Sequence, residues 1–205
     1  MSKPTLLSRI VWRLLRWLYR WKGYHLENHP PKLTKFILVG APHTSNWDFI
    51  YFAGAVQEVG IKPGFIGKHS LFKWPLRRFM IDMGGMPINR AAPQGYVKAV
   101  IRAIEHADEI ALVIAPEGTR SSTGQWKSGF YHIAYGAGIP IVPAWLDVST
   151  GKAGFGEAMM PSGDFLADLG KLAAFYREKM PHCERWDMLE AQARGEVETP
   201  GKLRG

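Results

Sequence analysis

Phe36-Ile37-Leu38-Val39-Gly40-Ala41-Pro42-His43-Thr44-Ser45-Asn46-Trp47-Asp48 is the stretch whose reading decides the fold. It opens as a short apolar run of strand type and passes into a polar turn. Ser45 or Asn46 can cap a helix that follows. The same layout of strand and then polar turn recurs at Ile110-Ala111-Leu112-Val113-Ile114-Ala115-Pro116-Glu117-Gly118-Thr119-Arg120. Working outward, strand signals fall at 35–40, 64–68, 85–89, 110–115 and 139–146. Helical stretches fill the gaps at 47–59, 74–83, 93–108 and 127–136, and a further one spans 165–180. In that last helix Leu166, Leu169, Leu172, Ala173 and Tyr176 form a stripe suited to burial. Such alternation predicts a single α/β layered domain, with a largely parallel central sheet flanked by helices.

The 205 residues are enough for one domain with a substantial core. The single cysteine, Cys183, excludes an internal disulfide and a cysteine-based zinc site. A net charge of +8 favours an anionic partner: nucleic acid, an acidic membrane or a phosphorylated substrate.

Residues 3–21 read as a basic amphipathic helix. At ~100° per residue, Arg9, Arg13, Arg16 and Arg20 share an arc of about 60°. Leu7, Ile10, Val11, Leu14, Leu15 and Leu18 fill much of the opposite side, with Trp12, Trp17 and Tyr19 toward the borders. Aromatic rings at a polar–apolar boundary and arginines able to meet lipid phosphates suit the membrane interface. A surface helix packing on its own domain is the alternative. Four arginines argue against a spanning helix, and no small-residue cleavage site marks a secretory signal. With the basic residues concentrated on an amphipathic helix, a membrane surface with anionic lipids is the expected partner rather than nucleic acid. The expected organisation is a membrane-docking segment over 1–30 (Arg9, Trp12, Arg13, Arg16, Trp17, Arg20), a catalytic domain over 31–182 and a polar tail over 183–205, frayed after about Glu190.

Two constellations carry chemistry. His43 follows the first main strand, and Asp48 is placed in the first turn of the next helix, where the dipole favours a carboxylate. From there it can reach back to the imidazole. Histidine takes a proton from a hydroxyl near neutral pH, and a neighbouring carboxylate orients it and stabilises its charged form. Glu117-Gly118-Thr119-Arg120 adds a carboxylate, a flexible backbone, a hydroxyl and a guanidinium able to grip a phosphate. Glu117 can accept a substrate hydroxyl or hold an arginine in place. Both groups sit at strand C-termini, where ligands of open α/β sheets bind. Gly84-Gly85-Met86-Pro87-Ile88-Asn89-Arg90 brings another arginine to a strand end, and Ile139-Pro140-Ile141-Val142-Pro143 reads as a wall of the site.

His43–Asp48, Gly84–Arg90, Pro116–Ser121 and Ile139–Pro143, in this order, resemble the four blocks of the phospholipid/glycerol acyltransferases, the family of 1-acylglycerol-3-phosphate acyltransferase. The resemblance covers about residues 35–150. It implies that His43 is a general base toward the acceptor hydroxyl, which attacks the thioester of acyl-CoA or acyl carrier protein, and that Asp48 orients His43. Arg90, Glu117, Gly118, Thr119 and Arg120 would bind a lysophospholipid acceptor, with Lys68 similarly placed. No metal and no cofactor beyond the thioester co-substrate is expected, and the protein would sit peripherally on the cytoplasmic face of a membrane. The family often has Asn where Pro42 stands and Asp where Asn89 stands. These departures leave the acceptor open among lysophosphatidate, another lysophospholipid and a different lipid alcohol or amine. A non-catalytic lipid-binding protein on the same fold is the alternative from another functional class.

Overall fold

The computed structural model describes residues 4–43, 46–67, 69–88, 93–118 and 124–200, with the backbone alone at 46–50, 69, 71, 93 and 94. Seven strands make one sheet in the order β1-β7-β6-β2-β5-β3-β4. They are β1 (His25–Leu26), β2 (Lys35–Ala41), β3 (Pro63–Gly67), β4 (Gly85–Pro87), β5 (Ile110–Ile114), β6 (Ile141–Asp147) and β7 (Lys152–Phe155). All neighbours pair parallel except β6 and β7, an antiparallel hairpin. The helices are α1 (Leu6–Trp21), α2 (Asn46–Glu58), α3 (Arg77–Asp82), α4 (Pro93–Glu105), α5 (Gly129–Ala137), α6 (Phe165–Lys179) and α7 (Arg185–Ala193).

Alternate residues of the central strands feed opposite cores. Ile37 and Val39 of β2, with Ile110 and Leu112 of β5, face the layer built from α4, α5, α6 and α7. Phe36 and Leu38 of β2, with Ala111 of β5, face the α2 layer with Val56. Both faces are therefore covered, which is why these strands are nearly continuous apolar runs rather than alternating ones. β2 and β5 are neighbours in register, with Val39 opposite Ile114. The chain leaves β2 into the helix layer on one face and leaves β5 into the layer on the other. That reversal opens a crevice beyond their C-terminal ends.

The N-terminal helix has three faces rather than two. Ser8, Leu15 and Tyr19 are buried, and Val11 and Trp12 pack beside them. Gly54 of α2 makes this possible: a Cβ there would meet Tyr19 Cβ at 2.4 Å and the Leu15 carbonyl oxygen at 2.9 Å. The N-terminus of α1 is tied to α3 by the Thr5 amide and the Ser8 hydroxyl, which donate to Asp82 at 2.8 and 2.9 Å. A second face holds the arginines. Arg16 and Arg20 both bind Glu58, Arg16 at 2.7 Å and Arg20 at 2.5 Å, and hold its carboxyl below the usual range. The third face is an exposed apolar stripe of Leu6, Leu7, Ile10, Leu14, Trp17 and Trp21, within an arc of about 100°. One side of this helix thus packs on its own domain, the alternative reading of its pattern. Trp12 belongs to the inner one, and two of the four arginines are engaged by the domain itself. Among the described residues, no helix is long and apolar enough to cross a membrane.

The C-terminal segment corrects the sequence reading. Residues 183–205 are not only a polar tail: Arg185–Ala193 forms α7 against α6, running past the point near Glu190 where fraying was expected, and buries Trp186, Leu189 and Gln192 completely. The stripe expected on α6 is buried at Leu169, Leu172, Ala173 and Tyr176, while Leu166 is exposed. Asp168 turns inward instead, between the Tyr131 hydroxyl and the amide and hydroxyl of Ser162.

Candidate active site

The candidate site lies beyond the C-terminal ends of β2, β3 and β5. β2 ends at Ala41, the peptide bond before Pro42 is cis, and His43 follows half-buried. Asp48 falls in the first turn of α2, three positions into the helix, as its placement near the dipole's positive end requires. Its side chain lies outside the described residues, as do Lys68, Arg90, Thr119 and Arg120.

His43 lines a cavity of about 210 Å³ whose other walls are mainly apolar: Phe52 of α2, Phe65 of β3, Val113 of β5, and Trp145 and Leu146 of β6. A larger space of about 540 Å³ adjoins it, sharing Phe65, Val113 and Ala115 and extending past Gly118 and Lys127 to Tyr96 of α4 and Phe130 of α5. An apolar slot beside a histidine can shelter an acyl chain. The neighbouring space, with a lysine on its wall, can receive a polar, anionic group.

Glu117 and Gly118 have different characters. Gly118 adopts φ +72° and is exposed, and a Cβ on it would stand 2.9 Å from Lys127 Nζ. Glycine is needed for this backbone angle, and the lysine tip runs alongside it. Glu117, by contrast, is sequestered: its side chain has no exposed surface and accepts from Arg185 Nη1 at 2.5 Å. Of the two roles open to it, the structure provides the second, a carboxylate holding an arginine. That arginine is the first residue of α7.

Lys127 and Arg185 are the site residues that sequence reasoning missed. Lys127 had a local signal, since it stands nine residues after Gly118 where the next helix was expected to begin. Arg185 had none, being 68 residues from Glu117 along the chain. On the strand side, Gly84 adopts φ +91°, and a Cβ there would stand 1.9 Å from the Pro63 carbonyl oxygen. Gly84 of the second block therefore lets the chain entering β4 close on β3, while Gly85 makes room for the Met80 carbonyl and the Phe72 ring. Near Arg185, burial pushes the Cys183 thiol upward, which keeps it protonated and weakly nucleophilic.

The family model described as Acyltransferase matches residues 23–147. The chain is 34% identical over 143 residues to the chloroplastic 1-acyl-sn-glycerol-3-phosphate acyltransferase BAT2 of Brassica napus, an alignment covering 67% of this chain and 38% of that protein. It is 28% identical over 162 residues to the 1-acyl-sn-glycerol-3-phosphate acyltransferase of Salmonella typhimurium, covering 70% and 62%. To the enzyme of that name from Cocos nucifera it is 45% identical over 166 residues, covering 67% and 54%. The chain thus spans between about two fifths and three fifths of the length of these curated relatives.

Proposed function

Because this chain belongs to the acyltransferase family, we propose that it moves a fatty acyl group from an acyl thioester to the hydroxyl of a lysophospholipid such as 1-acylglycerol-3-phosphate. The donor is acyl-CoA or acyl carrier protein. The observation that carries this reading is His43 on the wall of an apolar slot, beside a space that reaches Gly118 and Lys127.

In the proposed reaction the acceptor hydroxyl gives its proton to His43 as its oxygen attacks the thioester carbonyl carbon. The C–S bond of the resulting tetrahedral adduct then breaks, and the leaving thiolate takes the proton back from His43. No covalent acyl-enzyme and no net redox change are involved. Asp48 orients His43 and stabilises the imidazolium. Arg90, Arg120, Lys68 and Thr119 serve the acceptor and its phosphate, and Glu117 anchors the block to which Gly118 gives close backbone approach.

Both acceptor and product prefer a bilayer, so the domain must dock on one. The exposed stripe of α1, flanked by Arg9 and Arg13, supports peripheral docking on the cytoplasmic face of an anionic membrane. Apolar side chains would enter the acyl boundary while the two arginines meet headgroups.

The test is an acyl-transfer assay with liposomes, a long-chain acyl-CoA or acyl carrier protein, and a panel of lysophospholipids, read by mass spectrometry. An acylated lipid formed by the wild-type chain and lost in His43→Ala, with vesicle binding intact, is the expected result. Free fatty acid without acylated lipid would mean hydrolysis. Vesicle binding with no product from either donor would mean a lipid-binding protein without turnover. Near-wild-type turnover in His43→Ala would remove the histidine from the mechanism.

A further inference from the structure

We infer that α7 clamps the segment following β5, and that Arg185 is a positioning residue for the acceptor-binding block, acting through Glu117. The role assigned to the block rests on the acyltransferase reading above.

Helix α7 meets this segment at three places. Arg185 Nη1 donates to Glu117 Oε2 at 2.5 Å, with the two side chains 21% and 0% exposed. Gly124, at φ +105°, lies so close to the α7 backbone that a Cβ on it would meet the Arg185 carbonyl oxygen at 2.3 Å. The fully buried Gln192 then grips both sides of one residue: its Oε1 accepts from the Trp126 amide and its Nε2 donates to the Trp126 carbonyl, each at 2.8 Å. Only a side-chain amide, with one acceptor and a donor group in one plane, can satisfy a backbone N–H and C=O together in this way.

The clamp is itself held from the sheet. Trp186, next to Arg185, has no exposure, donates to the Met180 carbonyl at 3.0 Å and packs on Tyr176 at 5.1 Å between ring centroids. The Tyr176 hydroxyl reaches the Val39 carbonyl of β2 at 2.7 Å. A continuous path of packed and hydrogen-bonded groups thus runs from the strand that delivers His43, through Tyr176 and Trp186, to the residue that fixes Glu117. Tyr176, Arg185, Trp186 and Gln192 all lie beyond the residues 23–147 that carry the family match.

A sequestered carboxylate requires a cation of fixed position, and a guanidinium fixes it better than an ammonium because its donors lie in a rigid plane. Moving Arg185 therefore moves the first residue of the block rather than the histidine. The consequence falls on acceptor binding more than on the chemical step.

The experiment uses the full chain and two independent readouts: hydrogen exchange of peptides covering 116–127, and steady-state acyl transfer with lysophosphatidate in liposomes. In Arg185→Met, exchange over 116–127 is expected to quicken about tenfold while peptides of β2 and β6 are unchanged. The acceptor KM is expected to rise about tenfold with kcat within about threefold of wild type. Arg185→Lys should recover part of both effects. Glu117→Gln added to Arg185→Met should change KM by less than about twofold more, because the two residues act as one unit. Unchanged exchange over 116–127, multiplicative KM effects of the two substitutions, or a loss confined to kcat would each overturn the inference. Where Arg185→Met fails to fold, Arg185→Lys carries the same comparison. A wild-type chain that transfers no acyl group defeats the acyltransferase reading, and the exchange result then decides the clamp alone.

Discussion

Replacing Asp168 by Asn tests the buried polar knot that joins α5, α6 and the turn before α6. The side chain has no exposed surface. Oδ2 accepts from the Tyr131 hydroxyl at 2.9 Å, the Ser162 amide at 2.6 Å and the Ser162 hydroxyl at 2.8 Å, and Oδ1 accepts from Lys171 Nζ at 2.8 Å. Burial by itself would raise the carboxyl pKa. The lysine, then the amide and hydroxyls, outweigh it and bring it from its ordinary 3.8 to about 2. Each pKa unit is worth ~1.36 kcal/mol, so ionisation of Asp168 stabilises the fold by roughly 2.4 kcal/mol at neutral pH. Lys171 is mostly exposed and its share is screened, which lowers this to about 2 kcal/mol. Bond counting gives a somewhat larger figure of the same order, about 3 kcal/mol, since three charge-assisted bonds become neutral ones, each about 1 kcal/mol weaker. Because the folded pKa is the lower one, the stabilisation is complete above the unfolded value near 4 and is lost as pH falls toward 2. Urea unfolding followed by tryptophan fluorescence should therefore show Asp168→Asn about 2 kcal/mol less stable at pH 7 and about half that at pH 3, with Tm lower by roughly 4–8 °C at neutral pH. A gap below about 0.5 kcal/mol at pH 7, or one that does not shrink between pH 5 and pH 3, would refute the reasoning.

Trp186→Ala should cost about 3–5 kcal/mol and lower Tm by roughly 6–20 °C, since the ring is fully buried against Tyr176. A melting curve within about 2 °C of wild type would mean that α7 does not belong to the core. Leu14→Glu with Trp17→Glu, both on the exposed stripe, should weaken binding to anionic vesicles at least about tenfold, because each side chain forfeits ~1.5–3 kcal/mol of apolar burial. Thermal stability should stay within about 1 °C of wild type. Vesicle binding unchanged in co-sedimentation would exclude this face of α1 as the docking surface.

Much of the fold was legible because of how the central strands are buried. With both faces covered, β2, β5 and β6 had to be unbroken apolar runs, and such runs ending in a polar turn announce both the strand and the position of a ligand. His43, Glu117 and Gly118 were placed at the candidate site this way. β7 escaped because Lys152-Ala153-Gly154-Phe155 is four residues of mixed character, paired antiparallel to β6, where a hairpin and not a crossover makes the strand. α7 escaped because its inward positions are Trp186, Leu189 and Gln192, and the third reads as surface. Its burial is intelligible only once the Trp126 backbone is placed against it. Arg185 is the same case in stronger form: nothing local in Cys183-Glu184-Arg185 tells that a carboxylate far back in the chain needs a cation. The N-terminal helix was read by its angular pattern, which separates arginines from apolar residues. The pattern could not say which apolar residues another helix would cover, because that depended on Gly54.

That glycine ties the proposed membrane contact to the chemistry. Residues Ser8, Leu15 and Tyr19 of α1 rest on its own domain, and at Gly54 the two helices touch through backbone and Cβ atoms. Gly54 is six residues from Asp48 along α2, about 9 Å at ~1.5 Å per residue. Two residues before Gly54, Phe52 forms a wall of the slot beside His43. One helix thus carries the proposed orienting carboxylate, a side of the proposed acyl slot and the seat of the helix whose outer stripe faces solvent. Docking that stripe on a bilayer would set the height and tilt of the slot without a hinge between them, because close helix packing transmits position rigidly. A lipid hydroxyl rising from the same surface would then meet His43 at a depth fixed by the seat of α1 on α2. Gly54→Val, which forces the helices apart, should therefore reduce acyl transfer from liposomes far more than transfer to a soluble short-chain acceptor. Equal losses on both would mean that α1 is a stabilising cover and that membrane position is set elsewhere.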